Sequence, residues 1–523
     1  MPESIKQLCG VPTGFEPLVL ERLVARHGAL IYIVPNETKL SSVRRALGLM
    51  TPNIPVLAFQ TWDTVPYDRT APAPEIVGAR IDTLVRLAQN PQSPFILLTT
   101  ASAALQYVPP PPFFRDSALT LKTGQTVSFE SLKLFLIRNG YHTSDTVMEA
   151  GDFAVRGGLI DIFPAGEAQP VRVDFFGDEV DSIRLFDPMT QRSTRSVPEF
   201  TLKPMSEFVL TPDSISLFRQ RYRELFDKTA DDAFYEAVSA GRYVQGIEHF
   251  LPLFHPKMVP IWSYMPTAPV VLDYQARDAF VSRTEQIHEY YQARLQALTD
   301  GTTIGTVYHP IPPDLFFAPP AVLDELYATH STFALSPFIE AEARDMGGRA
   351  GHDFVDTRVQ DRQDVFDVVA DFIRAESRAV ILTAATDGSC QRLSGLLRDR
   401  GVHLTPAETW KSALTHAPAA LVAPFEKGFS TDKWIVITET DILGTRIIRP
   451  VKKRSNPDFI ADITTLNVGD LVVHQTHGVG RFQGLVPLQI AGAAHDCLCL
   501  EYDGGDKLFV PVENADVLSR YGN

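Results

Sequence analysis

The amino-terminal part of the chain alternates short apolar runs with segments of helical periodicity. The runs at 29–34, 54–59 and 95–100 have the length of buried strands, and apolar residues recur three and four apart at 81–87. Buried strands that alternate with helices are typical of a parallel sheet covered by helices. We therefore predict an α/β domain at the start of the chain.

A run of four prolines at 109–112 ends this pattern, and β signals dominate from about residue 117. The stretch 153–187 contains three β-rich segments separated by glycine and proline turns, which predicts an antiparallel meander. Its middle strand alternates between a core-facing set and a mixed polar and aromatic set on the opposite face. The two sets are Val171, Val173 and Phe175, and Arg172, Asp174 and Phe176.

Helical periodicity returns at 215–226 and 283–298, and a second α/β pattern follows. Its predicted strands are 379–384, 419–423 and 434–438, and its predicted helices are 365–373 and 392–397. The last segment is short and β-rich, with a hairpin turn predicted at Asp503-Gly504-Gly505-Asp506. These features predict a small β-barrel at the carboxyl end.

Length, net charge and cysteine content exclude several classes of protein. The 523 residues suffice for several domains, and the net charge of −15 disfavours a sequence-independent nucleic-acid binder. The segment 467–523 carries three basic and seven acidic side chains, a net charge of −4, so duplex DNA is a poor target for it. No leader pattern and no long apolar run occurs, and the four cysteines are scattered. We expect a soluble, cytoplasmic protein without a membrane partner.

A nucleotide-hydrolysing site needs a glycine-rich loop, a lysine and a hydroxyl in fixed order, and no complete match occurs. The nearest approach is Gly10–Pro17, where Phe15, Glu16 and Pro17 stand in place of the last glycine, the lysine and the hydroxyl. A carboxylate there would repel phosphate, so a plain helix-entry turn is favoured over ATP binding.

Other chemically suggestive residues are better explained by structure. His474 and His477 lack a third metal ligand with matching spacing, and Cys497 and Cys499 lack a second cysteine pair. We therefore predict no catalytic residue, no metal site and no cofactor in this chain.

Two features are typical of protein-binding surfaces. Arg156, Arg172 and Phe176 place arginine beside an aromatic ring on a strand face that does not form the core, although each alone is more typical of a solvated surface. The apolar segment 486–490 is either core or an edge strand that pairs with a partner, and its pattern favours neither.

Five segments resemble, in order, the amino-terminal half of the bacterial transcription-repair coupling factor, and the first three are also similar to the excision-repair protein UvrB. They are "TVPYDRTAPAPEIVGARIDTL", "AVRGGLIDIFPAGEAQPVRVDFFGDEVDSIRLFD", "GIEHFLPLFHP", "TDILGTR" and "VVHQTHGVGRFQGL". The resemblance implies a multidomain α/β fold: a degenerate RecA-like domain with an inserted antiparallel UvrB-type domain, a second α/β domain, and a Tudor-like barrel. The implied segments are 1–116 and 201–315 for the first domain, 117–200 for the insertion, 320–443 for the second α/β domain, 444–466 for a linker and 467–523 for the polymerase-interacting domain.

The resemblance also implies partners. The family recruits UvrA through the UvrB-like meander, and that role falls here on Arg156, Arg172 and Phe176. Its barrel adds an edge strand to the RNA polymerase β subunit, and the matching apolar position is Leu488. Family members continue into a motor that binds ATP and magnesium and translocates on DNA, and then into a domain that masks the UvrA surface. This chain stops before both, so it is either a fragment or a shortened member.

Three functions fit the sequence. The first is an adaptor that links stalled RNA polymerase to nucleotide excision repair. The second is a UvrB-like DNA-dependent ATPase, which the first three blocks allow. The third is a stand-alone polymerase-binding regulator in which only residues after about 464 matter.

Overall fold

The structure is a computed structural model. It describes residues 5–68, 70–91, 94–226, 232–299, 308–354, 364–444, 469, 471–474, 478–490, 493–502, 507–511 and 518–520. The chain divides into two compact units, residues 1–444 and residues 445–523.

The strands of the described residues are numbered in chain order. They are β1 Ile5–Cys9, β2 Ala29–Val34, β3 Val56–Phe59, β4 Phe95–Thr100, β5 Leu119–Lys122, β6 His142–Thr143, β7 Asp152–Arg156, β8 Leu159–Ile162, β9 Val171–Phe176, β10 Glu179–Phe186, β11 Ser193–Ser196, β12 Glu199–Leu202, β13 Val270–Leu272, β14 Thr332–Leu335, β15 Arg344–Asp345, β16 Arg349–Ala350, β17 Ala379–Ala384, β18 Thr405–Ala407, β19 Ala419–Val422, β20 Phe429–Ser430, β21 Trp434–Thr438, β22 Leu471–His474, β23 Gly478–Ile490, β24 Ala493–Glu501, β25 Lys507–Pro511 and β26 Leu518–Arg520.

The α-helices are numbered in the same way. They are α1 Glu16–His27, α2 Glu37–Met50, α3 Pro74–Ala88, α4 Ala101–Leu105, α5 Pro111–Asp116, α6 Phe129–Arg138, α7 Pro212–Leu225, α8 Ala233–Ser239, α9 Ala276–Thr299, α10 Pro313–Phe316, α11 Pro320–Thr329, α12 Val365–Ala375, α13 Asp387–Arg398, α14 Trp410–Thr415 and α15 Glu439–Leu443. Two 3-10 helices, Ile247–Leu253 and Ile261–Tyr264, lie between α8 and β13.

The first sheet is parallel throughout, in the order β15-β1-β14-β13-β2-β4-β3. Its central strands β2 and β4 are almost entirely apolar and buried, because helices cover both faces. The predicted α/β start is confirmed, and the strands at 29–34 and 95–100 match their predicted bounds. Strands β14 and β15, from the segment predicted to begin the second α/β domain, pair with this first sheet.

The second α/β sheet has the order β16-β20-β21-β17-β19-β18. Strands β21, β17, β19 and β18 are parallel, and β20 and β16 add antiparallel pairs at one edge. The strands predicted at 379–384 and 434–438 are observed at those bounds, and α12 and α13 contain the predicted helical segments.

The meander is a six-stranded sheet in the order β11-β10-β9-β8-β7-β6, inserted between β4 and β13. Strands β7 to β11 pair antiparallel, as predicted, and only the short β6–β7 pair is parallel. Helix α6 and the two-stranded β12–β5 sheet contribute Leu132, Leu136, Leu121 and Leu202 to its core. The inserted domain therefore has an apolar core of its own.

The second unit contains a five-stranded antiparallel sheet in the order β25-β24-β23-β22-β26. Val472, Phe482, Leu498, Leu500 and Val510 form its core. The predicted linker at 444–466 lies almost wholly outside the described residues, and the predicted turn at 503–506 lies outside them too, although β24 and β25 pair on either side of that turn.

Candidate functional site

The inserted sheet has one face packed on its core and one face turned away from it. Val171 and Val173 of β9 are fully buried against α6, while the alternate residue Arg172 is only partly buried. Phe175 packs partly against the same core. The predicted alternation of β9 is therefore confirmed, and we call the face that carries Arg172 the outer face.

Strand register places the three predicted binding residues on this outer face. Arg156 is opposite Leu159, and Leu159 is opposite Asp174, so Arg156 shares a row with Asp174. Arg172 and Phe176 lie two residues to either side of Asp174 along β9. With about 4.8 Å between strands and about 3.3 Å per residue, the three Cα positions span a patch about 10 Å by 13 Å.

Phe176 is the most exposed large apolar residue of this patch. Its side chain is 83% exposed at the end of β9, where Gly177 adopts a left-handed φ of 67° to turn the chain into β10. Water-exposed aromatic rings are costly unless a partner covers them, and aromatics are enriched at interface cores. Phe176 is therefore suited to insertion into a partner.

Arg156 is exposed at the end of β7. Its Nη2 donates to the Asp145 carbonyl oxygen at 2.7 Å, which holds the side chain near the sheet while the guanidinium stays accessible. The following Gly157 has a φ of 64°, and a Cβ on Gly158 would lie 2.9 Å from the Phe175 carbonyl oxygen. The two glycines are thus needed to close the turn between β7 and β8.

Arg172 has a different environment. Its Nε and Nη2 donate to the two carboxylate oxygens of Asp161 at 2.7 and 2.9 Å, and its guanidinium lies 4.7 Å from the Phe186 ring centre. The hydrogen bond to Asp161 raises the pKa of Arg172. The Arg172 side chain is only 16% exposed and that of Asp161 1%. Arg172 is therefore committed to an internal pair, unlike Arg156.

Asp161 is a residue that sequence reasoning missed. It lies in the run Leu159–Ile162, between two buried isoleucines, and faces Ala154 on one side and Arg172 on the other. The sequence did contain a signal for Asp161, because it is a carboxylate between two apolar residues of a predicted strand. Strand alternation places such a residue on the outer face. A second pair on this face joins Arg184 to Asp174, which also accepts from Ser182 Oγ at 2.7 Å.

Polar contacts and one close backbone approach dock the inserted domain on α3. Lys203 Nζ lies 2.5 Å from Asp82 Oδ1 and 2.6 Å from Glu167 Oε1, and it is nearly fully buried. A Cβ on Gly78 of α3 would lie 2.4 Å from the amide nitrogen of Gly166. Because the backbones touch there, the first α/β domain fixes the orientation of the inserted sheet.

The Gly10–Pro17 loop connects β1 to α1, the place where a phosphate loop would lie. The Gly14 amide donates to Glu16 Oε2 at 2.6 Å, and Lys39 pairs with the other oxygen of that carboxylate. Burial raises the pKa of Glu16, and Lys39 opposes the rise. The buried Glu16 carboxylate thus accepts a hydrogen bond from the Gly14 amide, which in a phosphate loop would donate to phosphate. These residues therefore do not fit a nucleotide.

The same loop packs against the second α/β domain. Phe15 is fully buried, with its ring centre 6.3 Å from those of Phe429 and Trp434. Gly14 has a φ of 94°, and a Cβ there would lie 2.6 Å from the Phe429 ring. The residue that replaces the last loop glycine is therefore part of the core shared by the two domains.

Leu488 lies in the far half of β23, in the second unit. Residues 478–481 of β23 pair with β22, whereas 484–490 pair with β24, with Leu488 opposite His495. Among the described strands, none pairs with the other edge of β23 beyond residue 481. Within the described part of the sheet, the backbone of 484–490 is therefore paired on one side only, and whether 486–490 is core or a partner-binding edge stays a prediction.

The remaining candidates are the histidine and cysteine pairs of the carboxyl-terminal segment. The side chains of His474 and Cys497, and all of His477, lie outside the described residues, while Cys499 is buried and free. Among the side chains that the structure describes, no cluster of three or more His, Cys, Asp or Glu could hold a metal ion. A helix both long enough and apolar enough to cross a membrane is also absent from the described part of the chain.

Three family models match the chain. Residues 119–208 match the UvrB interaction domain, residues 372–442 match the MFD D3 domain, and residues 466–522 match the CarD-like/TRCF RID domain. The first match contains the whole outer face with Arg156, Arg172 and Phe176. The third contains β23 with Leu488.

Whole-sequence comparison gives a consistent result. The transcription-repair-coupling factor of Rickettsia bellii is 28% identical over 94% of this chain, that of Haemophilus influenzae 29% over 99%, and that of Escherichia coli K12 28% over 100%. These alignments cover 43%, 46% and 46% of the respective relatives, so the chain spans less than half their length. The chain is therefore similar, over nearly its whole length, to the amino-terminal portion of the transcription-repair-coupling factors.

Proposed function

We propose that this chain is a two-site adaptor that binds UvrA through the inserted sheet and RNA polymerase through the carboxyl-terminal sheet. In this way it connects a stalled polymerase to nucleotide excision repair. The observation that carries the proposal is the outer face, where an 83%-exposed Phe176 and an exposed Arg156 lie together within a UvrB interaction domain.

The composition of the outer face supports a protein partner. Arginine and aromatic side chains provide most of the binding energy of protein interfaces. Arg156 offers a charged donor and Phe176 an apolar ring on a rigid strand, whereas Arg172 is held by Asp161 and shapes the surface between them. UvrA is the partner that the family resemblance assigns to this domain.

The free edge of β23 supports the polymerase site. Among the described strands, none pairs with residues 484–490 on the side away from β24, and an unpaired strand edge is the requirement for pairing with a strand of another protein. The net charge of −4 over 467–523 favours a protein over DNA. We assign the polymerase β subunit as the partner, Leu488 as the contact residue, and a small Tudor-like barrel as the complete fold of this unit.

We assign no ATPase or translocase activity to these residues. In the Gly10–Pro17 loop, the Glu16 carboxylate accepts from the Gly14 amide and the backbone packs on Phe429, so the UvrB-like ATPase is disfavoured. We further propose that any contact with DNA is indirect and that the chain acts by binding alone, in the cytoplasm.

The proposal is tested by measuring the binding of purified UvrA and of RNA polymerase core enzyme to the immobilised chain. We expect both to bind, separately and together, and Phe176→Ala to weaken UvrA binding about tenfold without changing polymerase binding. Leu134→Ala is the matched control, because Leu134 is an exposed leucine on α6, which packs on the opposite face of the sheet.

Three results would contradict the adaptor. Absence of UvrA binding with intact polymerase binding would favour the stand-alone regulator. ATP hydrolysis by the purified chain that is lost on changing Glu16 would favour the ATPase. Equal loss of both partners in Phe176→Ala would show that the sites are not separate.

A further inference from the structure

Two methionines lie beside the proposed UvrA-binding patch, and the family resemblance assigns them no role. Met189 is 78% exposed in the turn between β10 and β11, and Met148 is 42% exposed in the segment between β6 and β7. Gln191 Nε2 lies 3.9 Å from Met148 Sδ, so the two segments meet. Methionine is a polarizable side chain that adapts well to binding surfaces.

The turn that carries Met189 is rigidly built. Asp187 Oδ1 accepts from the amides of Met189 and Thr190 at 3.0 and 2.7 Å, and the Gln191 amide donates to the Asp187 carbonyl oxygen at 2.8 Å. Gln191 adopts a left-handed φ of 58°, a strained conformation for a non-glycine residue. Local strain and an exposed apolar tip both favour presentation of Met189 to a partner.

This turn is continuous with the outer face. Arg172 Nη1 donates to the Gln191 carbonyl oxygen at 3.4 Å, and Gln191 Nε2 donates to the Val147 carbonyl oxygen at 3.1 Å. Val147, Ala154 and Phe186 form a small buried cluster next to the Arg172–Asp161 pair. Arg172 therefore links the Phe176 end of the face to the methionine end.

We infer that the partner-binding surface extends past Arg172 onto Met148 and Met189, and that both thioether side chains contact UvrA. The inference rests on the proposed function, since it assigns a second contact area for the same partner. The surface then has an apolar contact at each end, Phe176 and the methionine pair, with the charged residues between them. Because the main apolar contacts lie at the two ends of the surface, the partly buried Arg172 contributes to recognition without being the main contact.

The test uses the full chain with Met148→Ser and Met189→Ser, singly and together, and titrates purified UvrA. We expect the double variant to bind UvrA about tenfold more weakly, and Met189→Ser alone about threefold. Both side chains are exposed, so thermal unfolding midpoints should stay unchanged. Leu134→Ser on α6 is the control for loss of an exposed apolar side chain of the same domain.

A second measurement reports contact directly. With methyl-labelled methionine, the resonances of Met148 and Met189, assigned from the two single variants, should shift or broaden when UvrA is added. The inference is overturned if the double variant binds UvrA normally, or if the two resonances do not respond, while Phe176→Ala still weakens binding. If Phe176→Ala also has no effect, the proposed UvrA site itself is wrong.

Discussion

The Arg172 guanidinium donates to both oxygens of the buried Asp161 carboxylate, across the boundary between β9 and β8. Arg156, on the same face, donates only to a backbone carbonyl oxygen and stays exposed. Two arginines that look equivalent in the sequence therefore have different contacts and different exposure. Arg172 completes the sheet, and Arg156 is available to a partner.

This difference predicts that the two arginine substitutions change stability by different amounts. Arg172→Ala leaves the Asp161 carboxylate buried and unpaired, so we expect the free energy of unfolding to fall by about 3 kcal/mol. Arg156→Ala should change it by less than about 0.5 kcal/mol and still weaken UvrA binding, as should Arg156→Glu. Urea unfolding and UvrA titration measure the two effects.

Arg184→Ala is the control for this comparison. Its ion pair with Asp174 is more exposed, so its removal should cost less than about 1 kcal/mol. Equal stability of the Arg172→Ala and Arg156→Ala proteins would show that the Asp161 pair does not hold the sheet together.

Docking of the inserted domain depends on Gly78 and Gly166. Gly78→Ala places a methyl group against the Gly166 backbone, which cannot move without lifting the domain off α3. We expect a loss of about 2 kcal/mol or more in the free energy of unfolding and faster proteolysis around residues 117 and 203. Gly48→Ala, in the open interior of α2, should instead stabilise the protein by about 0.5–1 kcal/mol. If both variants lose stability equally, the close contact is not the cause.

Acid should destabilise the first unit through His255. Burial lowers the pKa of His255 to about 4, while its Nε2 lies 2.8 Å from the Glu207 carbonyl oxygen. The unfolded chain binds a proton near pH 6.5 but the folded chain does not, so stability is lost as pH falls from about 6.5 to 4. The loss is of the order of 3 kcal/mol.

Urea unfolding of the wild type and of His255→Gln between pH 7 and pH 4 measures this loss. Glutamine keeps a donor but does not titrate, so the variant should show a clearly shallower pH dependence. His27, His249 and His330, whose pKa values are also lowered by burial, remain in both proteins and contribute to the residual slope. Identical slopes for the two proteins would contradict the assignment to His255.

A substitution in one proposed binding site should weaken the binding of only one partner. Leu488→Glu should weaken polymerase binding at least about tenfold and leave UvrA binding unchanged, because Leu488 and the three residues assigned to UvrA lie in different units. Leu471→Glu is the matched control, because Leu471 is an exposed leucine of β22 that pairs with Arg481, seven residues from Leu488 along β23. Polymerase binding that survives Leu488→Glu but not Leu471→Glu would place the contact elsewhere in the sheet.

Sequence reasoning was most successful where a local pattern decides the structure. The strands 29–34, 95–100, 379–384 and 434–438 were predicted at their observed bounds, because continuous apolar runs of that length form buried strands. The two faces of β9 followed from alternation. The assignment of β14 and β15 to the first sheet could not be predicted, because each is short and pairs with strands far away in the sequence.

The candidate site was predicted in part. Arg156, Arg172 and Phe176 share the predicted face, and their individual roles in binding remain predictions. Asp161 and the turn at Met189 were missed, since the importance of each depends on a neighbour across the sheet rather than on a local motif.

What the sequence by itself determined is the order of elements, the two faces of the meander and the absence of a complete phosphate-binding motif, because periodicity and residue type are local properties. Tertiary structure alone decided which arginine is buried with Asp161, that Glu16 accepts the amide of its own loop, and that Gly78 meets Gly166. Those outcomes depend on distances between residues far apart in the chain, and such distances are fixed only when the strands pair and the domains pack.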